Sequence, residues 1–308
     1  MRIQPALPTL LVLVFAAGLA AQTAAAPAAP APAAPTAANP NPAPANARPS
    51  LAGPPPPQLV AARNLVMEMQ NAKLEPTRIS QDIDAFAAQH PHNPYLGGVY
   101  FLAMQYFRQR SLFAQEIGYG ERVLQREPHQ LVALMQLATV IPMVVRPSDL
   151  NRDQMLNNAA SYARRAMAEV AKLKPGMGKP PMTAAQVAGW QKLIHATAES
   201  AFGRIDSVRG QSAKAIGYFQ QAVALETGIS AANDYFRMGL EQAKLHQYSE
   251  ALASLHKAAA LAPQDAGLQT QLRAEMGAVR RSMQPPPAAP TQPPAAPATA
   301  HSAPTTPH

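Results

Sequence analysis

The sequence contains no cysteine and few charged side chains. None of its 308 residues is Cys, and Asp, Glu, Lys and Arg together make up only 14% of the chain. The missing thiol excludes a fold held by disulfide bonds, a cysteine nucleophile and a lipid anchor attached through an N-terminal cysteine. It is also compatible with export to an oxidising compartment, where an unpaired thiol would be a liability.

The charges that are present make the chain moderately basic without forming a basic stripe. The formal net charge is +8 at pH 7, which favours acidic partners or an anionic envelope surface. Arg and Lys occur singly or in pairs, as at Arg164-Arg165 and Arg280-Arg281. Because nucleic-acid-binding domains gather their positive charge in a patch or stripe, we expect no nucleic-acid partner.

Proline is abundant, and its distribution divides the chain. Most of the 33 prolines lie in residues 21–57 and 284–308, which otherwise contain little but Ala, Thr, Asn, Gln and Ser. Such segments bury too little apolar surface to fold, so we predict a disordered linker and a disordered tail. Between them, residues 58–283 have the composition of an ordinary folded domain.

Residues 1–20 have the organisation of a secretory signal peptide. Arg2 supplies the positive region, Leu10–Leu19 the apolar run, and Gly18-Leu19-Ala20 a small-x-small cleavage site. About eleven apolar residues are fewer than the roughly 20 that span a bilayer, so we expect no transmembrane span after signal removal. Since N-glycosylation sequons and disulfides are both lacking, we predict export to a bacterial periplasm or to the exterior.

The central domain has helical periodicity throughout. Apolar residues recur at spacings of three and four, and no segment alternates with period two over a useful length. Eleven helices are predicted, of which the fifth is expected to stop at Pro142 and to be followed by an irregular segment over 142–151. Thr183 and Gln186 predict a capping box at the start of the seventh helix. We therefore predict an all-α chain.

The last two helical hairpins repeat each other with a spacing of 36 residues. Small residues occupy the positions where paired helices would touch, since a larger side chain would hold the helices apart. The corresponding pairs are Gly203 and Gly239, Gly210 and His246, Ala215 and Ala251, Phe219 and Leu255, and Ala222 and Ala258.

The final hairpin resembles the tetratricopeptide repeat (TPR), a helical hairpin of about 34 residues. The resemblance is carried by Tyr235-x-x-Met238-Gly239, then by Ala251-x-x-x-Leu255, and by the closing Pro263. The preceding copy matches in most positions but has Thr227 where the closing proline is expected, and the copies further upstream match less well. The best repeats cover 190–263, and 264–283 is predicted to be a capping helix.

The resemblance implies a right-handed superhelix of antiparallel helix pairs, a TPR-like α-solenoid whose inner helices line a concave groove for a protein or peptide. The Lys and Asn set with which some family members bind a C-terminal carboxylate is not reproduced, so binding of that kind is not expected. For each inner-helix residue, the alternative is ordinary solvated surface. The groove candidates are Phe101, Gln105, Arg108, Met135, Thr139, Arg204, Asn233, Phe236, Leu240 and Lys244, with Thr197 and Ser200 as further members.

No pattern in the sequence supports catalysis, a bound metal or a cofactor. His90-x-His92 has no nearby carboxylate or third histidine, and a G-x-S-x-G motif is absent. We therefore predict an exported, non-catalytic scaffold that binds a protein or peptide partner. The alternative is a structural envelope spacer or self-assembling component, a homo-oligomer without a peptide ligand.

Overall fold

The computed structural model describes residues 57–70, 75–178 and 180–284. The predicted signal peptide, the linker up to residue 56 and the tail from residue 285 lie outside these residues. Within the described ranges the chain is helical, without strands, and none of its helices is both long and apolar enough to cross a membrane. The helices are α1 Pro57–Gln70, α2 Pro76–Gln89, α3 Leu96–Gln109, α4 Phe113–Arg126, α5 Leu131–Val144, α6 Arg152–Val170, α7 Ala184–Val208, α8 Ser212–Leu225, α9 Gly228–Lys244, α10 Tyr248–Leu261 and α11 Ala266–Ser282.

Consecutive helices form antiparallel pairs that stack on one another. Helix α3 packs on α4, α5 on α6, α7 on α8 and α9 on α10, while α11 covers the last pair. Each pair also contacts the next one along the chain, as expected when a single hairpin cannot bury its apolar surface alone. The all-α, TPR-like architecture predicted from the sequence is confirmed.

Three pairs are joined by the same turn. Ser111, Gly210 and His246 have φ angles of 57°, 76° and 60°. In each turn the following N–H donates to a carbonyl five residues earlier, as from Gln247 N to Gln242 O at 2.9 Å. This left-handed residue with its reverse hydrogen bond is the common way to end a helix before a sharp turn. Gly210 and His246 therefore share a backbone conformation, although their side chains differ.

Small residues bring the paired helices close together at the predicted positions. A Cβ atom on Gly203 would lie 2.7 Å from Cε1 of Phe219, and one on Gly239 would lie 2.9 Å from Cγ of Leu255. Real Cβ atoms essentially never approach so closely, so a side chain at either position would separate the helices. The two hairpins thus share one packing arrangement with a different large residue in each.

Helix α5 does not end where the sequence predicts. It continues through Pro142 to Val144, which leaves a shorter irregular segment over 145–151. Proline removes one hydrogen-bond donor, and nearly every residue from 132 to 142 is buried, so packing offsets that loss.

The predicted capping box is confirmed: the backbone N of Gln186 donates to Thr183 Oγ1 at 3.2 Å, and the backbone N of Thr183 donates to Gln186 Oε1 at 2.7 Å.

Candidate functional site

Polar side chains, rather than apolar ones, connect α7 with α9. Ser200 Oγ donates to Asp234 Oδ1 at 2.7 Å, and Ser207 Oγ donates to Glu241 Oε1 at 2.5 Å. Both pairs are separated by 34 residues, two fewer than the 36-residue spacing of these repeats, so each hydrogen bond joins a position of one repeat to the position two residues earlier in the next. We term this group the α7–α9 cluster; its members are Ser200, Arg204, Ser207, Ser212, Glu226, Asp234, Arg237, Glu241 and Lys244.

One end of the α7–α9 cluster is fully paired. Glu241 is buried and accepts hydrogen bonds from Ser207 and, at 2.6 Å, from Ser212, while Lys244 Nζ lies 2.6 Å from its Oε1. Burial opposes ionisation of this carboxyl, but the hydrogen bonds from Lys244, Ser207 and Ser212 outweigh it and lower the pKa of Glu241. Glu241 is therefore an anion at neutral pH, with Lys244 as its counter-charge.

The other end contains two carboxyls that interact with each other. Asp234 is 1% exposed, and it shares a hydrogen bond with Glu226 in addition to the one from Ser200. Burial, followed by the charge of Asp234, raises the pKa of Glu226 to about 7. Burial also raises the pKa of Asp234, against the opposing charge of Arg204. The two carboxyls are therefore coupled and do not ionise independently of each other.

Two arginines complete this end of the cluster without a direct partner. Neither Arg204 nor Arg237 makes a hydrogen bond or an ion pair with another described residue, and the Nε atom of each is buried. Burial lowers the pKa of Arg204, and the charge of Arg204, followed by burial, lowers the pKa of Arg237 to about 9. The two guanidinium groups are thus close enough to repel each other, and the charges of Asp234, Glu226 and Glu241 partly offset this repulsion.

The predicted groove residues lie on α3, α5, α7 and α9, and the structure gathers only some of them. Arg204, Lys244 and Ser200 belong to the α7–α9 cluster. Two other α9 candidates already have contacts elsewhere in the protein. Asn233 donates to Ile229 O at 2.9 Å, and Phe236 packs against the apolar cluster of α9, α10 and α11. The sequence prediction did not include Glu226, Asp234, Arg237 or Glu241. Asp234 and Glu241 can be identified in the sequence, because each lies 34 residues after a serine of α7, Ser200 or Ser207.

The candidates on α3 and α5 form a second group, in which most polar side chains already have a partner within the protein. The side-chain amides of Gln105 and Gln136 hydrogen-bond to each other at 3.1 Å and connect α3 with α5. Arg108 lies 3.8 Å from Glu116 on α4, Thr139 donates to carbonyls of its own helix, and Met135 is 6% exposed. The partly exposed members are Phe101, Gln105, Arg108 and Thr139, and on α9 also Leu240.

An open cleft of about 550 Å³ lies where α7 extends past α8. It is lined in part by Lys192, His195 and Glu199 of α7 and by Gln221 and Leu225 of α8. Burial raises the pKa of Glu199, and its Oε2 has no hydrogen-bond partner among the described residues. In the described part of the chain, no three His, Asp or Glu side chains lie together as a metal site.

Glu116, which is buried, and Glu226, which is half-buried, make stability depend on pH. Burial raises the pKa of Glu116 to about 7, despite the opposing charge of Arg108, and that of Glu226 to about 7 as well. Because both pKa values are raised on folding, ionisation favours the unfolded chain. We expect the free energy of unfolding to fall as pH rises from about 4.5 to about 7, by on the order of 1–3 kcal/mol.

Urea unfolding of the full chain at pH 5 and pH 8 measures this loss. Glu116→Gln keeps the shape of the side chain but cannot ionise, so it is expected to remove a measurable part of the pH-dependent loss. Glu250→Gln on α10 is the control, because Glu250 is exposed. The raised pKa values would be contradicted if the wild-type free energy of unfolding did not change with pH, or if Glu116→Gln left its pH dependence unchanged.

No protein-family model matches the sequence, and no curated protein matches it. The solved structures to which the chain is similar include the following three. A thermophilic TPR protein from Thermus thermophilus is 17% identical, with coverage of 73% of this chain and 99% of that one and a TM-score of 0.44. A double mutant of MamA from RS-1 is 14% identical, with coverage of 67% and 95% and a TM-score of 0.45. A TPR protein from Parabacteroides merdae is 10% identical, with coverage of 70% and 99% and a TM-score of 0.31. Since all three scores are below 0.5, the TPR-like fold rests on the helix pairs, turns and glycine contacts of this chain.

Proposed function

We propose that the chain is a non-catalytic scaffold that binds a protein or peptide partner on the face formed by α3, α5, α7 and α9. The observation that carries the proposal is the pair Arg204 and Arg237, two neighbouring guanidinium groups without a direct partner among the described residues. A junction needed only for stability is better served by apolar side chains, because isolated half-buried charges destabilise a fold. We infer that another molecule binds where these donors lie, at the junction of two repeats.

The same face continues along the earlier repeats. Phe101 and Gln105 on α3 and Thr139 on α5 are partly exposed, and the Gln105–Gln136 amide pair adds hydrogen-bonding capacity between the two helices. Partly exposed apolar and amide groups next to fixed charges suit a peptide, since its side chains and its backbone can both be contacted.

We further propose that the scaffold acts outside the cytoplasm, in the periplasm or beyond. This part of the proposal is supported by the sequence alone: the positive Arg2, the apolar run Leu10–Leu19 and the absence of cysteine. The Pro- and Ala-rich segment that follows would act as an extended spacer that keeps the helical domain away from the cell wall.

The proposal is tested by site-specific photo-crosslinking in bacterial cells that express the full chain. A benzoylphenylalanine is placed at Leu240 or at Phe101 on the proposed face, and at the exposed His256 on α10 as the matched control. We expect one partner, identified by mass spectrometry, to be joined at both Leu240 and Phe101 but not at His256.

Three other outcomes are informative. Equal adducts at all three positions, or none at any, would exclude a specific partner on this face. Adducts that consist of two copies of this chain would establish the self-assembling alternative. The same spectra give the first residue of the recovered chain: a start after Ala20 supports export, and an intact Met1–Ala20 segment argues against it.

A further inference from the structure

We propose that the open cleft beside α7 and α8 binds a short zwitterionic peptide, with its N-terminal ammonium group at Glu199 and its C-terminal carboxylate at Lys192. The cleft has a volume of about 550 Å³, within the range of about 300–1,000 Å³ that small-molecule sites occupy. Its lining comes from α7, from α8 and from Ala171, which follows α6, and includes none of the groove candidates. The inference therefore goes beyond the proposed function and does not depend on it.

The polar side chains of the cleft have no partner within the described part of the chain. Five of them line it, and none makes a hydrogen bond or an ion pair with another described residue. The four that lie on α7 are three or four residues apart, so they share one face of that helix. The five are Gln191, Lys192, His195 and Glu199 on α7 and Gln221 on α8. Their hydrogen-bonding groups are available to a ligand.

Glu199 is the group in the cleft that most requires a donor. Its Oε2 atom is buried without a hydrogen-bond partner, whereas its Oε1 atom is also unpaired but is not buried in this way. Burial raises the pKa of Glu199, against the opposing charge of His195. A half-buried carboxylate without a donor is unfavourable. An ammonium group that donates to Oε1 would supply both the hydrogen bond and the counter-charge.

Lys192 and Glu199 carry opposite charges that do not neutralise each other. They are seven residues apart, or about 10.5 Å along the helix axis at a rise of about 1.5 Å per residue. Ion pairs on a helix surface join residues three or four apart instead. The cleft therefore has a positive group towards one end and a negative group towards the other. A ligand with a single charge would be attracted at one end and repelled at the other, so a zwitterion fits.

The spacing of the charges and the groups between them identify the zwitterion as a peptide. Three extended residues span about 10 Å from end to end, which matches the separation along α7. The amides of Gln191 and Gln221 can each donate and accept, as the N–H and C=O groups of a peptide backbone require. Ala171 and Leu225 supply the apolar part of the lining, which suits small side chains such as the methyl group of alanine.

The test is isothermal titration calorimetry of the full chain with trialanine and its blocked forms, at pH 7 and constant ionic strength. Acetyl-trialanine lacks the ammonium group, trialanine amide lacks the carboxylate, and acetyl-trialanine amide lacks both. We expect saturable binding of trialanine, at least tenfold weaker binding of each singly blocked form, and no detectable binding of the doubly blocked form. Free alanine, which is too short to reach both charges, should also bind at least tenfold more weakly than trialanine.

Matched variants locate the site. Glu199→Gln and Lys192→Gln each remove one charge from the cleft, and each is expected to weaken trialanine binding at least tenfold. Glu250→Gln on α10 and Lys214→Gln on α8 remove the same charges from exposed positions outside the cleft, so they should change it less than twofold. Acetyl-trialanine has no ammonium group, so Glu199→Gln should not weaken its binding further.

The inference would be overturned if trialanine did not bind, if its doubly blocked form bound equally well, or if the control variants lost as much affinity as Glu199→Gln and Lys192→Gln. If a variant does not fold, as judged by circular dichroism, the comparison of free and blocked peptides on the wild-type chain still decides. The outcome is independent of the crosslinking experiment, since neither Leu240 nor Phe101 lines the cleft.

Discussion

Replacement of Phe219 by Ala is expected to lower the free energy of unfolding by about 3–5 kcal/mol. The Phe219 side chain is fully buried, and its ring lies directly over Gly203, so no side chain on α7 can move in to fill the cavity. It also packs with Met238 of α9 in a small apolar cluster that joins successive helix pairs. Urea unfolding of the full chain, followed by circular dichroism, measures the loss.

Phe219→Leu is the matched control for this prediction. Leucine is the natural residue at the corresponding position of the next repeat, where Leu255 is fully buried against Gly239. We therefore expect Phe219→Leu to cost less than about 1.5 kcal/mol. A loss below about 1 kcal/mol for Phe219→Ala, or equal losses for both variants, would mean that this contact does not hold the pair together.

Two glycine-to-alanine substitutions are expected to change stability in opposite directions. In Gly239→Ala the new Cβ would lie 2.9 Å from Leu255 Cγ and 3.2 Å from the backbone oxygen of Ala251. Helices α9 and α10 must then separate, and we expect a loss of about 1–3 kcal/mol. In Gly217→Ala the Cβ meets nothing within 4 Å, so the more favourable helix propensity of alanine should add about 0.5–1 kcal/mol.

The pair of variants separates packing from propensity. Both glycines lie within helices, so any general effect of alanine on the helical backbone is common to both. Chemical unfolding of the two proteins side by side reads the difference directly. If Gly239→Ala were as stable as Gly217→Ala, the close approach of α9 and α10 would not be a constraint on the sequence.

The helix pairs could be predicted because their contacts leave a local trace. Gly203 and Gly239 stand opposite Phe219 and Leu255 within single hairpins, so the requirement for a small residue recurs at a fixed spacing and is visible in the sequence. The capping box at Thr183 is local in the same way. The fate of Pro142 was not predictable from its neighbours, because it depends on how much of α5 is buried by other helices.

The charged site was only partly predictable, for a related reason. An arginine, an aspartate and a glutamate on helices of mixed polarity look like solvated surface in a single sequence, and position in the repeat identified Arg204 but not Arg237. What distinguishes the cluster is the meeting of side chains from two repeats, with Glu226 and Asp234 close enough to affect each other's ionisation. Such coupling depends on distances across the stack. In the sequence, the cluster could have been recognised only from the 34-residue spacing between each serine of α7 and a carboxylate of α9.

The polar junction between α7 and α9 has a mechanical consequence. Interlocked apolar side chains resist sliding, because any displacement opens a void, whereas hydroxyl and carboxyl groups can exchange one partner for another or for water. Sliding at this junction is therefore resisted mainly by the apolar cluster of Ala215, Ile216, Phe219 and Met238, which joins the same two helix pairs.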